Sequence, residues 1–533
     1  MTICRSIRSI IWQRRFRHSF ITTPIFYANS APHIGHLYSA VIADAAHRWE
    51  ILKAPNELHQ FTTGTDEHGS KIERAATSAS LTPIEHCDKV TAQFRALFEA
   101  FDISYTDYIR TTEERHKRAV REFWARLSKA GHLYKGKYSG WYSVIDECFY
   151  KDSEVEKIRS LDGKESSVAK ETRNPVEWVD EENYMFRLSD FKEKTKKILE
   201  STEVITPTHF KPLAIRELDA CGDLSVSRDS TRLKWGIPVP DDPSQRVYVW
   251  LDALINYLTV NGFPDKMQFP APTCQIIGKD ILRFHTAYWF AFLQALNLPL
   301  PERLFVHGHW LVNNVKMSKS LGNVVDPMEI AGLLSNDGLR YFLLKQGVPT
   351  DDCNFMKLKA IELINSDLVN TIGNLLQRST IPKLNPAQVY PIFDAKKVPS
   401  NCAQLAKELI NDLGTLSNRV RTHYDELYFY RGIEILLNIV RKTNAFFQEA
   451  QPWKLSDQEE ILTVLAVSYE TLRITAILLS PIVPKFSAHT LSRLSIKPNE
   501  ANLQEAHFRG IGCFGGKLGS EKEPFLNRIK PNN

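Results

Sequence analysis

Cysteine is scarce in this sequence and never occurs in closely spaced pairs. The eight cysteines are scattered along 533 residues, and no CxxC spacing is present. Such spacing usually marks a local zinc site or a redox motif, whereas densely paired cysteines mark small secreted scaffolds. The sequence therefore predicts a protein of a reducing compartment, with neither a disulfide framework nor a zinc knuckle built from neighbouring cysteines.

The sequence also lacks an uninterrupted apolar run of the roughly 20 residues that cross a membrane. The longest candidate, near residues 476–483, is short and contains Pro481. A net charge of only +5 excludes a polybasic coat for nucleic acid, so an RNA partner would be held by local patches. We expect no membrane span and, at this length, about two to four domains.

Acidic residues are absent from the start of the chain until Asp44. The first residues instead mix serines and apolar residues with arginines, namely Arg5, Arg8, Arg14, Arg15 and Arg17. A basic, acid-free, amphipathic start is typical of a mitochondrial transit peptide, and the alternative is a basic tail that contacts RNA. We predict that residues 1–19 are a transit peptide and that the protein acts in the mitochondrial matrix.

The hydrophobic pattern then alternates between strands and a helix. Residues 20–28 predict a buried strand, His36 to Leu52 a helix with one apolar stripe, and residues 58–63 a second strand that leads into Gly64. A strand, a helix and a strand in succession form a βαβ unit. The sequence therefore predicts an α/β fold whose parallel sheet begins here.

The pattern changes twice further along the chain. Residues 131–236 are rich in aromatic and charged residues and predict an inserted subdomain, after which the α/β pattern resumes. From about residue 357 to 495 the pattern is helical with few glycines, which indicates a helical bundle.

One short motif suits a nucleotide polyphosphate. His33-Ile34-Gly35-His36 follows the first strand and opens the first helix. Backbone N–H groups and the helix dipole favour an anion at such a position, and Gly35 permits close packing. By itself the motif is weak, because a chain with 16 histidines produces it by chance at about the few-per-cent level.

A second motif, Lys316-Met317-Ser318-Lys319-Ser320, lies in a polar loop. Two lysines on a loop can close over departing pyrophosphate and neutralise its charge. The alternative is a solvated surface turn. A chance match of all five residues is far rarer than one of the first motif.

The two motifs together resemble those of class I aminoacyl-tRNA synthetases, and the resemblance covers about residues 20 to 495. It implies a Rossmann-type nucleotide-binding catalytic domain split by a connective-peptide insertion and followed by an α-helical bundle that binds the anticodon. The implied divisions are 20–130 for the first catalytic half, 131–236 for the insertion, 237–356 for the second half and 357–533 for the helical domain.

Five segments resemble the methionyl-tRNA synthetase family in particular. They are residues 23–29 (TPIFYAN), 64–69 (GTDEHG), 181–188, 248–257 (YVWLDALINY) and 278–289. The residues that this resemblance places around methionine are Ile25, Tyr27, Asp66, Trp250, Ala253, Tyr257, Ile281, Phe284, His285 and Trp289.

The residue types suit that substrate. Asp66 ends a predicted strand, where ligands bind in open α/β sheets, and its carboxylate can pair with an α-ammonium. The alternative for Asp66 is a helix N-cap. Sulfur–aromatic contacts of about 0.3–1.5 kcal/mol each favour a thioether against aromatic rings, although each ring taken alone would be ordinary core.

The resemblance implies that L-methionine reacts with ATP to give methionyl-adenylate, from which methionine passes to tRNA(Met). His33 and His36 would stabilise the phosphates, Lys316 and Lys319 the charge of the leaving pyrophosphate, and Mg²⁺ would accompany ATP. The remaining ATP-binding residues would be Gly35, Met317, Ser318 and Ser320. No protein nucleophile is needed, because positioning and charge stabilisation suffice.

The helical region carries residues that resemble the anticodon-reading elements of the family. Asn370, Asn374 and Arg378 are spaced four residues apart and share one face of an α-helix, and Trp453 follows Pro452. Amide and guanidinium hydrogen bonds with aromatic stacking are how splayed RNA bases are read. The alternative is a solvated polar face and a tryptophan packed on the core.

The chain departs from many family members in two respects. Ser143 stands where a zinc-knuckle cysteine is expected, so we predict no structural zinc. About 40 residues follow the helices, so we expect no appended RNA-binding barrel and we expect a monomer. The rival interpretations are another class I synthetase, an inactive paralogue that only binds RNA, and a nucleotidyltransferase that shares the first motif.

Overall fold

The structure is a computed structural model that describes residues 18–143, 148–159, 165–170, 173–317, 322–509 and 516–531. In chain order the strands are β1 Ser19–Thr22, β2 Phe26–Tyr27, β3 His59–Asp66, β4 Asp107–Arg110, β5 Leu133–Ser143, β6 Cys148–Tyr150, β7 Val155–Arg159, β8 Glu165–Ala169, β9 Glu177–Phe186, β10 Ile205–Thr206, β11 Leu224–Ser225, β12 Ser227–Asp229, β13 Pro238–Val239, β14 Asp242–Val247, β15 Cys274–Gly278, β16 Leu304–His307, β17 Trp310–Val312, β18 Val315–Lys316 and β19 Cys353–Asn354.

The helices in chain order are α1 Ile34–Lys53, α2 Ser70–Ser78, α3 Pro83–Ala100, α4 Glu114–Lys129, α5 Ser189–Ser201, α6 Lys211–Ala220, α7 Val249–Leu254, α8 Asn256–Thr259, α9 Phe290–Ala295, α10 Pro327–Leu334, α11 Asn336–Gln346, α12 Lys357–Leu363, α13 Asn374–Ser379, α14 Ala403–Tyr424, α15 Phe429–Ala450, α16 Gln458–Leu479 and α17 Pro484–Arg493. Two further segments are π-helical, Phe284–Trp289 and Ile364–Gly373.

A parallel sheet has the strand order β10-β16-β15-β1-β3-β2, and β4 also pairs with β3. The predicted α/β class is confirmed. The strand predicted at 20–28 is two strands, because Pro24 has no N–H to donate to a sheet ladder. The strand predicted at 58–63 runs on through Gly64 to Asp66, which places Asp66 at its carboxyl end.

Helix α1 connects the site to the helical region. It starts at the edge of the parallel sheet, and its far end is anchored where the Trp49 indole donates to Asp425 at 2.8 Å. Midway, Asp44 binds the guanidinium of Arg340 at 2.6 Å, and both side chains are fully buried. Arg340 also donates to the carbonyl of Ile482.

The region predicted as an insertion contains an antiparallel sheet of order β11-β9-β5-β6 and the hairpin β7–β8. Ser143 pairs with Cys148 across this sheet. Within the same range, β10 returns to the edge of the parallel sheet beside β16. The boundaries 131–236 stay a prediction.

The region from residue 357 to 495 is helical, as the pattern predicts, apart from an irregular stretch between α13 and α14. Among the described residues, α16 is long and apolar enough to cross a membrane, but 94% of its apolar window is buried inside the protein. It therefore serves as the core helix of the bundle. Residues 516–531 return across the molecule, and the Asn365 amide pairs with both backbone groups of Ile529.

Candidate active site

A cavity of about 420 Å³ opens at the carboxyl edge of the parallel sheet. Its walls come from the ends of β2, β3, β15 and β16, and from the first turn of α1. This edge is where ligands bind in open α/β sheets. The cavity brings together most of the residues that the sequence predicts for ATP and for methionine, although they are far apart in the chain.

The two histidines of the first motif cap helix α1 through two hydrogen bonds. Nδ1 of His33 accepts the N–H of Gly35 at 3.0 Å, and Nδ1 of His36 accepts the N–H of His33 at 3.1 Å. The two rings stack with 3.8 Å between centroids. Because each Nδ1 accepts, each ring carries its proton on Nε2. The capping arrangement therefore makes both histidines Nε2–H donors in the wall of the cavity.

Asp66 lies at the opposite wall. Its side chain is buried at the end of β3, next to Tyr27 across the parallel pair of strands. The ammonium of Lys71 stands 5.4 Å from the centre of the Tyr27 ring, and Lys71 also lines the cavity. The strand continues to Asp66, and the helix cap that follows is Gly69, so the alternative of an N-cap role for Asp66 is wrong.

Five of the residues predicted to bind methionine form an apolar recess in the cavity. They are Trp250, Ala253, Tyr257, Ile281 and His285. Two more predicted residues, Ile25 and Tyr27, line the cavity from the other side. Trp250 stacks face to face on Phe284 with 3.5 Å between ring centroids. The recess has the aromatic lining that suits a thioether.

Hydrogen bonds hold the floor of this recess in one orientation. The Tyr257 hydroxyl donates to Nε2 of His285 at 2.8 Å, and Nδ1–H of His285 donates to the carbonyl of Ile281 at 2.9 Å. Burial lowers the pKa of His285 to about 4, so the ring is neutral near pH 7. A neutral ring is what this donor–acceptor pattern requires.

Two of the residues predicted to bind methionine lie behind the cavity wall. Phe284 and Trp289 are not among the described residues that line the cavity. Phe284 supports Trp250 from behind, and Trp289, fully buried, packs 5.6 Å from the Tyr257 ring. Both residues and His285 belong to the same π-helical segment, Phe284–Trp289.

A charged cluster that sequence reasoning missed lies beside Lys316. Nζ of Lys316 is 3.5 Å from Oδ2 of Asp280, and Nε2 of His309 is 3.0 Å from Oδ1 of the same carboxylate. His309 and Lys316 hold the pKa of Asp280 far below its usual value in spite of its burial. Asp280 follows the end of β15 after one residue, and His309 follows the end of β16 in the same way. This position at the carboxyl edge of the sheet is the signal from which the two residues could have been predicted.

The second motif is described only in part. Lys316 and Met317 line the cavity, with the Met317 methyl group close to the first turn of α1. Ser318, Lys319 and Ser320 lie outside the described residues, so their predicted roles stay predictions. The remaining cavity residues that were not predicted include Lys71, Asn256, Ser39 and His307.

The residues predicted to read the anticodon lie on the helical bundle. The stretch 364–373 is π-helical, so the assumption of a continuous α-helix through Asn370 is wrong. Asn370 and Asn374 are nevertheless both exposed. The guanidinium of Arg378 lies 5.6 Å from the centre of the Trp453 ring, which is 38% exposed. Arg378 and Trp453 thus form a joint cation–π platform.

Comparison with known proteins gives consistent matches. The family model described as tRNA synthetases class I (M) matches residues 19–380. The mitochondrial methionine--tRNA ligase of Bos taurus is 46% identical over 93% of this chain and 86% of its own length, and that of Homo sapiens is 46% identical over 96% and 90%. The Mycobacterium tuberculosis methionyl-tRNA synthetase in complex with methionyl-adenylate superposes with a TM-score of 0.88 at 35% identity, over 96% of this chain and 99% of that one.

Proposed function

The chain belongs to the methionyl-tRNA synthetase family of class I, and from that premise we propose how its cavity activates methionine and where tRNA is read. The reaction is the ligation of methionine to tRNA at the expense of ATP. The observation that carries the assignment of residues is the single cavity in which both histidines of the first motif, Asp66 and the aromatic recess meet.

Methionine is held at two points. The Asp66 carboxylate binds the α-ammonium, and hydrogen bonds between charged groups of this kind are about twice as strong as those between neutral groups. The thioether lies in the recess against Trp250, Tyr257 and His285. Phe284 and Trp289 contribute by holding these rings in place, as their positions behind the wall favour. The substrate carboxylate is then left facing the first turn of α1.

The chemical step is an in-line displacement at phosphorus. A carboxylate oxygen of methionine attacks the α-phosphorus of ATP, the bond to the bridging oxygen breaks, and pyrophosphate leaves with its electron pair. The Nε2–H groups of His33 and His36 donate to the phosphate oxygens, whose charge grows in the transition state. Lys316 and Lys319 neutralise the leaving pyrophosphate.

Magnesium enters with ATP as part of the substrate. The described residues contain no cluster of three or more His, Cys, Asp or Glu side chains that could hold a metal ion. Mg²⁺ commonly keeps several waters and binds through substrate phosphates with one or two carboxylates. We therefore assign it to the phosphates of ATP, and no step depends on a protein cage for it.

The third substrate is tRNA(Met). The terminal adenosine hydroxyl attacks the activated carbonyl, and AMP leaves. On the helical bundle, Trp453 stacks on an anticodon base, while Arg378, Asn370 and Asn374 supply hydrogen bonds to base edges. The exposure of Asn370, Asn374 and Trp453 and the contact between Arg378 and Trp453 support this assignment. Phe447 is buried, its ring lies 6.1 Å from the Trp453 ring, and the Arg378 guanidinium lies 5.1 Å from its centre, so Phe447 supports the platform from inside the bundle.

Its relatives in Bos taurus and Homo sapiens are named mitochondrial enzymes, and on that basis we infer that this protein is mitochondrial. The matrix is the compartment where a tRNA ligase for mitochondrial protein synthesis would act, and the predicted transit peptide 1–19 would direct it there. Ser19 is a buried residue of β1, so cleavage would fall before it, and residues 1–17 lie outside the described part of the chain. A monomeric state and the lack of structural zinc are further proposals. Light scattering and elemental analysis of the purified protein test them directly.

Charging of RNA tests the proposed function as a whole. Purified protein is incubated with ATP, radiolabelled methionine and total mitochondrial RNA, and the label should appear in one or a few tRNA species. The control variant Asp66→Ala should charge the same RNA far more slowly at low methionine. Label transfer that does not depend on Asp66 would contradict the assignment of the ammonium site.

A further inference from the structure

A buried contact joins the two elements that the proposed function assigns to methionine. His68 follows Asp66 after one residue, at the end of β3, and Asp252 lies in α7 between Trp250 and Ala253. Nδ1 of His68 is 2.7 Å from Oδ2 of Asp252, and their side chains are 5% and 1% exposed. The contact therefore links the loop of the ammonium site directly to the helix of the side-chain recess.

Asp252 itself does not reach the substrate. It is not among the described residues that line the cavity. Its second oxygen, Oδ1, is 2.8 Å from Nε2 of His116, whose Nδ1 is 3.0 Å from the Thr259 hydroxyl. A carboxylate only accepts, so both imidazoles donate to it. Both oxygens of Asp252 are therefore engaged by protein groups.

The charge of Asp252 makes both contacts strong. Burial alone would raise the pKa of this carboxyl, but His68 and His116 lower it to about 2. Hydrogen bonds to a charged group are about twice as strong as hydrogen bonds between neutral groups. The link between His68 and α7 is therefore a rigid one.

Glu67, the residue before His68, contacts a different part of the fold. The buried carboxylate of Glu67 accepts from the hydroxyls of Thr65 and Thr91 and from Nε of Arg110. These partners lie on or beside β3, α3 and β4. Glu67 thus fixes the loop to the sheet, whereas His68 fixes it to α7.

The separation of the two recognition points matters for selectivity. One methylene in an apolar pocket changes the discrimination between two substrates by only about 10- to 200-fold, and a shift of about 1 Å in a bound group costs on the order of 10²-fold in rate. A recess can therefore measure side-chain length only if its distance from the ammonium site is held constant.

We propose that His68 is a positioning residue for amino-acid recognition: through Asp252 it fixes the distance between Asp66 and the recess at Trp250, and so sets the length of side chain that is accepted. This inference rests on the proposed function, because it takes Asp66 and Trp250 as contacts of methionine. His68 contacts neither substrate nor ATP in this account.

The test compares His68→Ala with His116→Ala, a matched control that removes the partner of the other Asp252 oxygen. Steady-state pyrophosphate exchange should show the methionine KM of His68→Ala raised about tenfold or more, with the ATP KM changed less than about twofold. The preference for methionine over its S-ethyl homologue should fall about tenfold. His116→Ala should lose a similar amount of thermal stability while its methionine KM stays within about twofold of the parent.

Two amide variants keep the test decisive if His68→Ala does not fold. Asparagine places its Nδ2 near the position of histidine Nδ1, so His68→Asn should stay within about threefold of the parent methionine KM. Glutamine carries its donor one bond further out, so His68→Gln should show the raised KM and the relaxed preference.

Equal methionine KM values in the His68 and His116 alanine variants, or in the His68 amide variants, would overturn the proposal and leave the contact a stabilising one. The parent protein separates this result from a failure of the proposed function. If the parent shows methionine-dependent exchange and the His68 variants behave like their controls, only the positioning role is lost. If the parent shows no such exchange, the proposed function itself is wrong.

Discussion

Gly35 packs directly against the imidazole of His33. A Cβ added at Gly35 would lie 2.8 Å from Cε1 and 3.0 Å from Nδ1 of that ring. The same Nδ1 accepts the N–H of Gly35 to cap α1, and the ring stacks on His36. The glycine of the first motif is therefore required by the position of the His33 ring and not by backbone conformation.

We predict that Gly35→Ala displaces the His33 ring and lowers the rate of methionine-dependent pyrophosphate exchange by on the order of 10²-fold. The thermal midpoint should change little, because alanine favours a helix. The matched control is Gly414→Ala in α14, where an added Cβ meets nothing within 4 Å. This control should keep full activity and unfold at the same or a slightly higher temperature.

Lys319→Ala is expected to lower the rate of adenylate formation far more than it weakens methionine binding, because the lysine acts on charge that develops in the transition state. Pre-steady-state measurement of adenylate formation, together with equilibrium binding of methionine, separates the two effects. Comparable losses in both would refute the role in the transition state.

If the cation–π platform of Arg378 and Trp453 binds the anticodon, a substitution there should weaken aminoacylation of tRNA without affecting methionine activation. Trp453→Ala removes the exposed ring beside Arg378, and stacking on a base is worth about 1–3 kcal/mol. The aminoacylation efficiency should therefore fall about 10- to 100-fold, while methionine-dependent pyrophosphate exchange without tRNA stays unchanged. A parallel fall in the exchange reaction would show that Trp453 acts through the fold.

The buried pair Asp44–Arg340 joins α1 to the helical bundle, and its loss should be costly. Arg340→Met leaves the fully buried Asp44 without its partner across the two regions, so we expect a loss of about 3–5 kcal/mol in the free energy of unfolding. The control Arg126→Met breaks a half-exposed pair with Glu122 and should cost about 0.5 kcal/mol or less. Urea unfolding compares the two, and equal losses would contradict the bridging role.

Three buried histidines predict acid sensitivity. Burial is the main cause that lowers the pKa of His47, His285 and His307 from 6.5 to about 4. The unfolded chain binds protons between these values and the folded chain does not, so stability is complete above pH 6.5 and falls as the pH drops towards 4. Each histidine should cost about 2 kcal/mol between pH 6.5 and 5. In His47→Gln, which lies outside the cavity, urea midpoints against pH should show one fewer proton taken up on unfolding.

Local pattern was enough to predict the βαβ unit, the helix that opens at the first motif and the position of Asp66 at a strand end, because each depends on residues close together in the chain. The apolar recess needed the family resemblance, since Trp250 and Tyr257 look like ordinary core residues on their own. Asp280 and His309 were missed because their partnership joins two strand ends that are adjacent only in the folded sheet. The π-helical turns were missed for another reason: an extra residue in a helical turn changes the hydrogen-bond ladder without a clear mark in the hydrophobic pattern.

The pairing of β10 with the parallel sheet was also not predicted, because it too depends on contacts formed only in the folded protein. A strand of two residues, Ile205–Thr206, carries too little sequence pattern to be recognised, and its place beside β16 is set by tertiary pairing. The sequence could therefore predict that an insertion exists, but not how its later part rejoins the catalytic sheet.

The most direct measurement is ATP–pyrophosphate exchange by the purified protein with each of the twenty amino acids offered separately. The account predicts exchange with methionine and with no other amino acid at comparable concentration, because the Asp66 site and the aromatic recess must be filled together. Exchange with a different amino acid would keep the class of reaction but contradict the methionine pocket, and no exchange from folded protein would contradict the catalytic assignment itself.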